Sequence, residues 1–204
     1  MIILTYAKRF LLALSFLAFL GATAARAGEV KGTVTASGLS MPSSIAVYLD
    51  AIPGKTFDAP TKHVVIDQSH MKFVPHVLVV LKGTTVDFLN SDATLHNVFW
   101  PDISGNKKLA GNLGTWPKGQ KKSFKFDNLG VVPLLCNVHQ EMSGYVVVVP
   151  TPYFAVTDKE GEFVIKDVPP GKYTLKTWSE EGKPATQAVE VSGGTATANL
   201  TVQR

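Results

Sequence analysis

Cys136, His139 and Met142 follow one another at intervals of three, inside the run Leu135-Cys136-Asn137-Val138-His139-Gln140-Glu141-Met142-Ser143-Gly144. A thiolate and a thioether suit Cu(I), and imidazoles also suit Cu(II). Two imidazoles and a thiolate in a trigonal set, with a weak axial thioether, make a site tolerable to both oxidation states. One short loop between two strands presents three such donors. The second imidazole must come from elsewhere, and His96, in Asn90-Ser91-Asp92-Ala93-Thr94-Leu95-His96-Asn97-Val98, is the candidate. Glu141 is an alternative axial donor beside Met142, whose plainer role is to pack under a strand.

Cys136 is the chain's single cysteine, so it forms no intramolecular disulfide. A nucleophilic Cys136/His139 enzyme lacks an evident orienting acid or oxyanion signature, and a neighbouring thioether serves no acyl chemistry. A multicopper oxidase needs paired His-x-His motifs, which the five histidines do not supply. His63, His70 and His76 lack the context of His96 and are expected at the surface or in a core. Asp158, Glu160 and Glu162 sit in a turn pattern with too few carboxylates at ligand spacing for calcium.

The first 27 residues have the order of a secretory signal: Lys8 and Arg9, an apolar run over 10–20, then Ala25-Arg26-Ala27. The run is short for a membrane span, so cleavage after Ala27, export to the periplasm or exterior, and no stable membrane insertion afterwards are expected. The chain carries a net charge of +4, but Lys8, Arg9 and Arg26 leave with the signal, so 17 basic residues then face 16 acidic ones. No basic stripe interleaved with aromatics calls for nucleic acid. Lys107, Lys108, Lys118, Lys121, Lys122 and Lys125 form a solvated face or a docking patch for an acidic partner.

The elements that must position the donors are strands. Short Val/Ile/Thr/Phe-rich runs alternate with Gly, Pro, Asn and Asp, and no long stretch keeps a helical period. Strands are predicted over 29–35, 45–49, 62–67, 76–81, 85–90, 97–100, 120–126, 131–135, 145–149, 163–166, 173–178, 188–191 and 195–202. The fold class is all-β, with Greek-key or meander sandwiches. Residues 77–81 are continuously apolar, which implies burial on both faces.

The Cys-x-x-His-x-x-Met-x-Gly-x-Val-Val-Val pattern from Cys136, the Asn97 that follows His96, and the strand-turn-strand containing Gly83, Val86, Phe88 and Asn90 resemble the cupredoxins, with amicyanin-like spacing. The resemblance covers 61–150. It implies a Greek-key sandwich with one type I (blue) copper on His96, Cys136, His139 and Met142. Asn97 would tie the two ligand loops together near the sulfur, and His139 would be the solvent-edge port for electrons. Gln140 and Glu141 depart from the family, which often has proline and an aromatic residue there.

The segments 28–60 and 151–204 resemble the two parts of a carboxypeptidase regulatory-like (transthyretin-like) sandwich, through Val30 to Thr35, Ala46 to Asp50, Thr157 to Phe163 and Val168 to Leu175. Neither part has enough strands to close a core, so an insertion of 61–150 into a split sandwich is expected. The alternative is an N-terminal strand pair belonging to the copper domain. The expected function is non-enzymatic: an exported one-electron carrier serving redox partner proteins. A copper carrier or storage protein, or an exported interaction module with a structural metal, uses the same donors. Trp100, Trp116 and Pro117 are candidates for a docking rim or for core.

Overall fold

The computed structural model describes residues 26–38 and 44–204. The expected signal therefore lies, apart from its last two residues, outside the described residues. No helix among the described residues is long and apolar enough to cross a membrane.

Two strands open the described chain, β1 (Gly28–Ser37) and β2 (Ala46–Leu49). Nine follow: β3 (Val64–Ser69), β4 (Lys72–Val74), β5 (Val77–Leu81), β6 (Thr85–Asn90), β7 (His96–Trp100), β8 (Gly111–Trp116), β9 (Lys121–Lys125), β10 (Gly130–Leu135) and β11 (Ser143–Val149). They form two sheets, ordered β4-β3-β6-β9 and β5-β11-β10-β7-β8. The β3/β6 and β5/β11 pairs are parallel within otherwise antiparallel sheets. Between the sheets lie Ile66, Phe88, Val98, Trp100, Trp116 and Phe126, with Cys136 and Met142 in the same buried cluster.

The last six strands are β12 (Phe154–Val156), β13 (Glu162–Val168), β14 (Gly171–Trp178), β15 (Thr186–Val191), β16 (Thr195–Thr197) and β17 (Leu200–Gln203). All but β15, which pairs with β14, pair with the first two. β1 lies beside β13, β16 and β17, while β2 lies between β12 and β14. Val30, Val34, Leu49, Ile165, Leu175 and Val191 are among the residues filling the space between these sheets.

β5 and β11 carry apolar residues on both faces. Val80, Val146 and Val148 enter the first core. Val77, Val79, Val147 and Val149 point the other way, against Ala46, with Tyr48, Phe154 and Trp178 packed around them. The unbroken apolar runs of both strands follow from this double burial.

Four features depart from the sequence expectation. β4, β8 and β12 were not anticipated, and the single strand predicted over 195–202 is broken between β16 and β17. At the break, Ala198 is buried and the Asn199 Oδ1 accepts from the Thr33 N–H at 3.0 Å.

Candidate metal centre

His96 opens β7 and is fully buried; Cys136 follows the last residue of β10 and is buried; His139 is half-buried in the loop. One donor atom from each lies within 4.8 Å of the others. The two Nδ1 atoms face each other at 3.1 Å. The loop is closed by the Leu135–Ser143 pair of β10 and β11, and inside it the Met142 N–H donates to the His139 carbonyl at 3.1 Å. Met142 stands one residue before β11 and is 1% exposed, whereas Glu141 is exposed.

Asn97 joins the two halves. Its backbone N–H points at the Cys136 sulfur at 3.5 Å, and its Oδ1 accepts from the Asn137 N–H at 3.3 Å. Its Nδ2 donates to Asn112 Oδ1 and the Gly114 carbonyl, both on β8. This is the tie the cupredoxin resemblance implies. Val98 and Leu134 are buried beside the site; Phe99 and Leu135 are half-buried.

His96 is oriented from behind by Asp92, whose Oδ2 stands 2.8 Å from Nε2. The same carboxylate accepts the backbone N–H groups of His70 at 2.7 Å and Met71 at 2.9 Å. These two residues form the β3–β4 turn with φ of 54° and 55°, a left-handed conformation usually filled by Asn-Gly in two-residue hairpins. Burial pulls the Asp92 carboxyl upward, but the Met71 N–H, the His96 ring and the His70 N–H outweigh it and hold the group at about 2. The ionised Asp92 accepts a hydrogen bond from the Nε2–H, which leaves Nδ1 as the ring nitrogen turned toward His139. Two imidazole nitrogens and a buried thiol sulfur then converge on one point, a soft and borderline donor set that fits copper.

Sequence reasoning missed Asp92. Its signal is the i, i+4 spacing to His96, meaningful only once the turn is known to be compact. There, Asn90 Oδ1 accepts from the Asp92 N–H at 2.9 Å. The other histidines lie apart from this cluster. His63 Nδ1 pairs with Asp87 at 2.9 Å, His70 Nδ1 with Ser69 Oγ at 3.0 Å, and His76 Nε2 with Glu180 at 2.7 Å.

Trp100 and Trp116 are each 1% exposed and belong to the core, not to a docking rim. The lysine cluster is partly engaged. Lys121 pairs with Asp87 and Lys125 with Asp127, while Lys122 donates to the Leu113 carbonyl beneath its contact with the Trp116 ring.

Residues 60–149 match the copper binding proteins of the plastocyanin/azurin family, and residues 139–203 match the carboxypeptidase regulatory-like domain. Amicyanin from Paracoccus versutus is 30% identical over 97 residues, which are 47% of this chain and 72% of that protein. Among solved structures, the reduced Cu(I) form at pH 4 of an amicyanin mutant is 29% identical, with 48% of this chain and 96% of that one aligned at a TM-score of 0.40. A second amicyanin mutant in the Cu(I) state is 28% identical over the same shares, also at 0.40.

Proposed function

Because the chain belongs to the plastocyanin/azurin family of copper-binding proteins, we propose that it is an exported one-electron carrier with a single type I copper. His96, Cys136 and His139 would hold the metal, with the Met142 thioether as a weaker fourth donor. The observation that carries this reading is the approach of one donor atom from each of the first three to within 4.8 Å. When bound, copper supplies a centre that takes up and gives back one electron.

The chain's own residues do the rest. Asp92 and Asn97 fix the His96 ring and the Cys136 loop before any metal arrives, so little has to move when the charge changes. Buried Val98 and Leu134 keep water off the thiolate. Half-buried His139 exposes one imidazole edge, where electrons pass to redox partner proteins. Met142 is favoured over Glu141 as the axial donor because it is buried with Cys136 while Glu141 faces solvent. Burial of Cys136 and His96 also favours retention through many cycles over the ready exchange expected of a copper carrier.

We assign 28–60 and 151–204 to a carboxypeptidase regulatory-like sandwich and 61–150 to a copper domain inserted in it. The pairing of β1 and β2 with strands after residue 150 supports that division. Residues 1–27 are the export signal, giving a periplasmic or extracellular protein.

The test is to express the chain from Gly28, add Cu(II) and record the visible spectrum. An intense thiolate-to-copper band, lost in Cys136→Ala, is expected. A colourless protein that binds zinc or nothing would overturn the reading.

A further inference from the structure

Tyr145 on β11 and Trp178 at the end of β14 pack with ring centroids 4.9 Å apart and planes tilted by 54°, beside the apolar contact made by Val77, Val79, Val147 and Val149. Two residues beyond Trp178, Glu180 reaches back over this contact. Its Oε2 lies 2.7 Å from His76 Nε2, and its Oε1 accepts the Tyr145 hydroxyl at 2.9 Å. One carboxylate thereby grips the residue before β5 and the third residue of β11.

His76 passes this grip to the ligand loop. Its Nδ1 lies 3.1 Å from the carbonyl oxygen of Ser143, the residue after Met142. Its own carbonyl accepts the Tyr145 N–H at 2.7 Å. Ser143 offers a carbonyl and Glu180 a carboxylate, so the ring lies between two hydrogen-bond acceptors, one at each nitrogen. Gly144 is pressed onto the same segment: a Cβ there would stand 2.9 Å from the Phe73 Cβ and 3.1 Å from the His76 carbonyl oxygen.

Packing alone does not hold this end of the loop. A cavity of about 420 Å³ opens there, lined in part by Met71, Phe73, His76, Glu141, Met142 and Ser143. Met142 itself is 1% exposed, and the peptide that follows it is also held by hydrogen bonds. Tyr145 is fixed likewise: burial, then the hydrogen bond and charge of Glu180, push its hydroxyl up to about 12.

We propose that Glu180 is a positioning residue of the copper centre, acting through His76 and the Ser143 carbonyl to set the position of Met142. The inference rests on the copper reading above. It gives the C-terminal strands a part in tuning the metal beyond scaffolding. A His–Glu contact that is about one-third exposed on both sides contributes little to global stability, so its effect belongs in the geometry of the loop.

The experiment uses the full chain and its Glu180→Ala and Tyr145→Phe variants, with Lys176→Ala as control. Lys176 lies on β14, as Trp178 does, and pairs with Asp50, just after β2, at 2.8 Å. Each protein is loaded with copper; the charge-transfer band and the reduction potential are measured. Glu180→Ala is expected to keep the band and change the Cu(II)/Cu(I) affinity ratio at least threefold, which is about 30 mV for one electron. Tyr145→Phe, which loses only a hydroxyl, should give a smaller change of the same sign, and Lys176→Ala none. If Glu180→Ala fails to fold, Tyr145→Phe decides. A normal band with an unchanged ratio in the folded variants overturns this inference alone. No band in the unsubstituted chain overturns the copper reading and this inference with it.

Discussion

Replacing Asp92 by Asn removes a charge while almost keeping the shape, and its consequences can be worked out atom by atom. The carboxylate has two acceptor oxygens: Oδ1 takes the His70 N–H, while Oδ2 takes the Met71 N–H and faces His96 Nε2. An amide keeps one oxygen. If that oxygen replaces Oδ2, His96 retains its partner, but a charge-assisted bond becomes neutral, at a cost of about 1 kcal/mol. If it replaces Oδ1, the NH2 group confronts Nε2, and the ring escapes only by moving its proton to Nδ1, the atom that faces His139. A proton there competes with the metal. Both routes weaken binding, and outer partners of metal-ligating histidines typically carry ~10–100-fold in affinity.

The lost charge also acts on the potential. Asp92 is one hydrogen bond and one imidazole ring from Nδ1, roughly 5 Å, where unit charges interact by about 3 kcal/mol at an effective dielectric of 20 and about 0.8 in water. The Asp92 side chain is 17% exposed, and a bound cation lies beyond Nδ1, so about 1 kcal/mol is the fitting figure. That corresponds to a rise of about 40 mV in potential, because the more highly charged oxidised state loses more. The assay is a competition titration with a copper chelator, paired with a potentiometric titration of the coloured form. A variant with unchanged affinity and potential would refute the argument that Asp92 fixes the His96 tautomer.

Met142→Leu should leave a coloured site with a higher potential, read by the same titration; no change would move suspicion to Glu141 or to an open axial position. Asp87 supplies a pH test away from the metal. The Lys121 ammonium at 2.5 Å, then Ser123 and His63, hold its carboxyl at about 2 against an ordinary 3.8. The folded value is depressed, so this stabilisation is complete above about pH 4 and is lost as pH falls toward 2. A shift of this size is about 2.5 kcal/mol for a carboxylate with an 8% exposed side chain, reduced to about 1–2 because Lys121 is 55% exposed. Urea unfolding at pH 5 and pH 2.5 should show that loss in the parent chain and a flatter response in Asp87→Asn. Parallel losses in the two would remove Asp87 from the account.

Where the side-chain pattern itself decides structure, the sequence was legible. The apolar run Val64 to Ile66 and the double-faced runs of β5 and β11 are properties of residue order, so those strands were visible. Cys136, His139 and His96 were visible because their spacing joins chemistry to a loop. β4 was hidden because its turn is His70-Met71, which lacks the Asn-Gly signal. β8, Gly111-Asn112-Leu113-Gly114-Thr115-Trp116, has little strand propensity and is imposed by pairing with β7. A Cβ on Gly111 would stand 2.1 Å from the Trp100 ring, so its glycine serves the core and not a turn. Asp92 and Glu180 were illegible for a different reason: each acts through a partner brought near only by the fold, and Glu180 lies 104 positions from His76.

The strands made first and last in the chain are neighbours, and this bears on how the chain can fold. Val30 pairs with Ile165 and Leu49 with Leu175, so β1 and β2 leave the ribosome long before their partners exist. Bringing such distant segments together from a disordered chain is slow. A folded block over β3–β11 removes most of that span: residues on either side of it already touch, with the Thr151 hydroxyl on the Leu49 carbonyl at 2.8 Å. The remaining closure is that of a short loop, whose entropy cost is small. A middle that folds first would then serve as the template on which the two ends assemble.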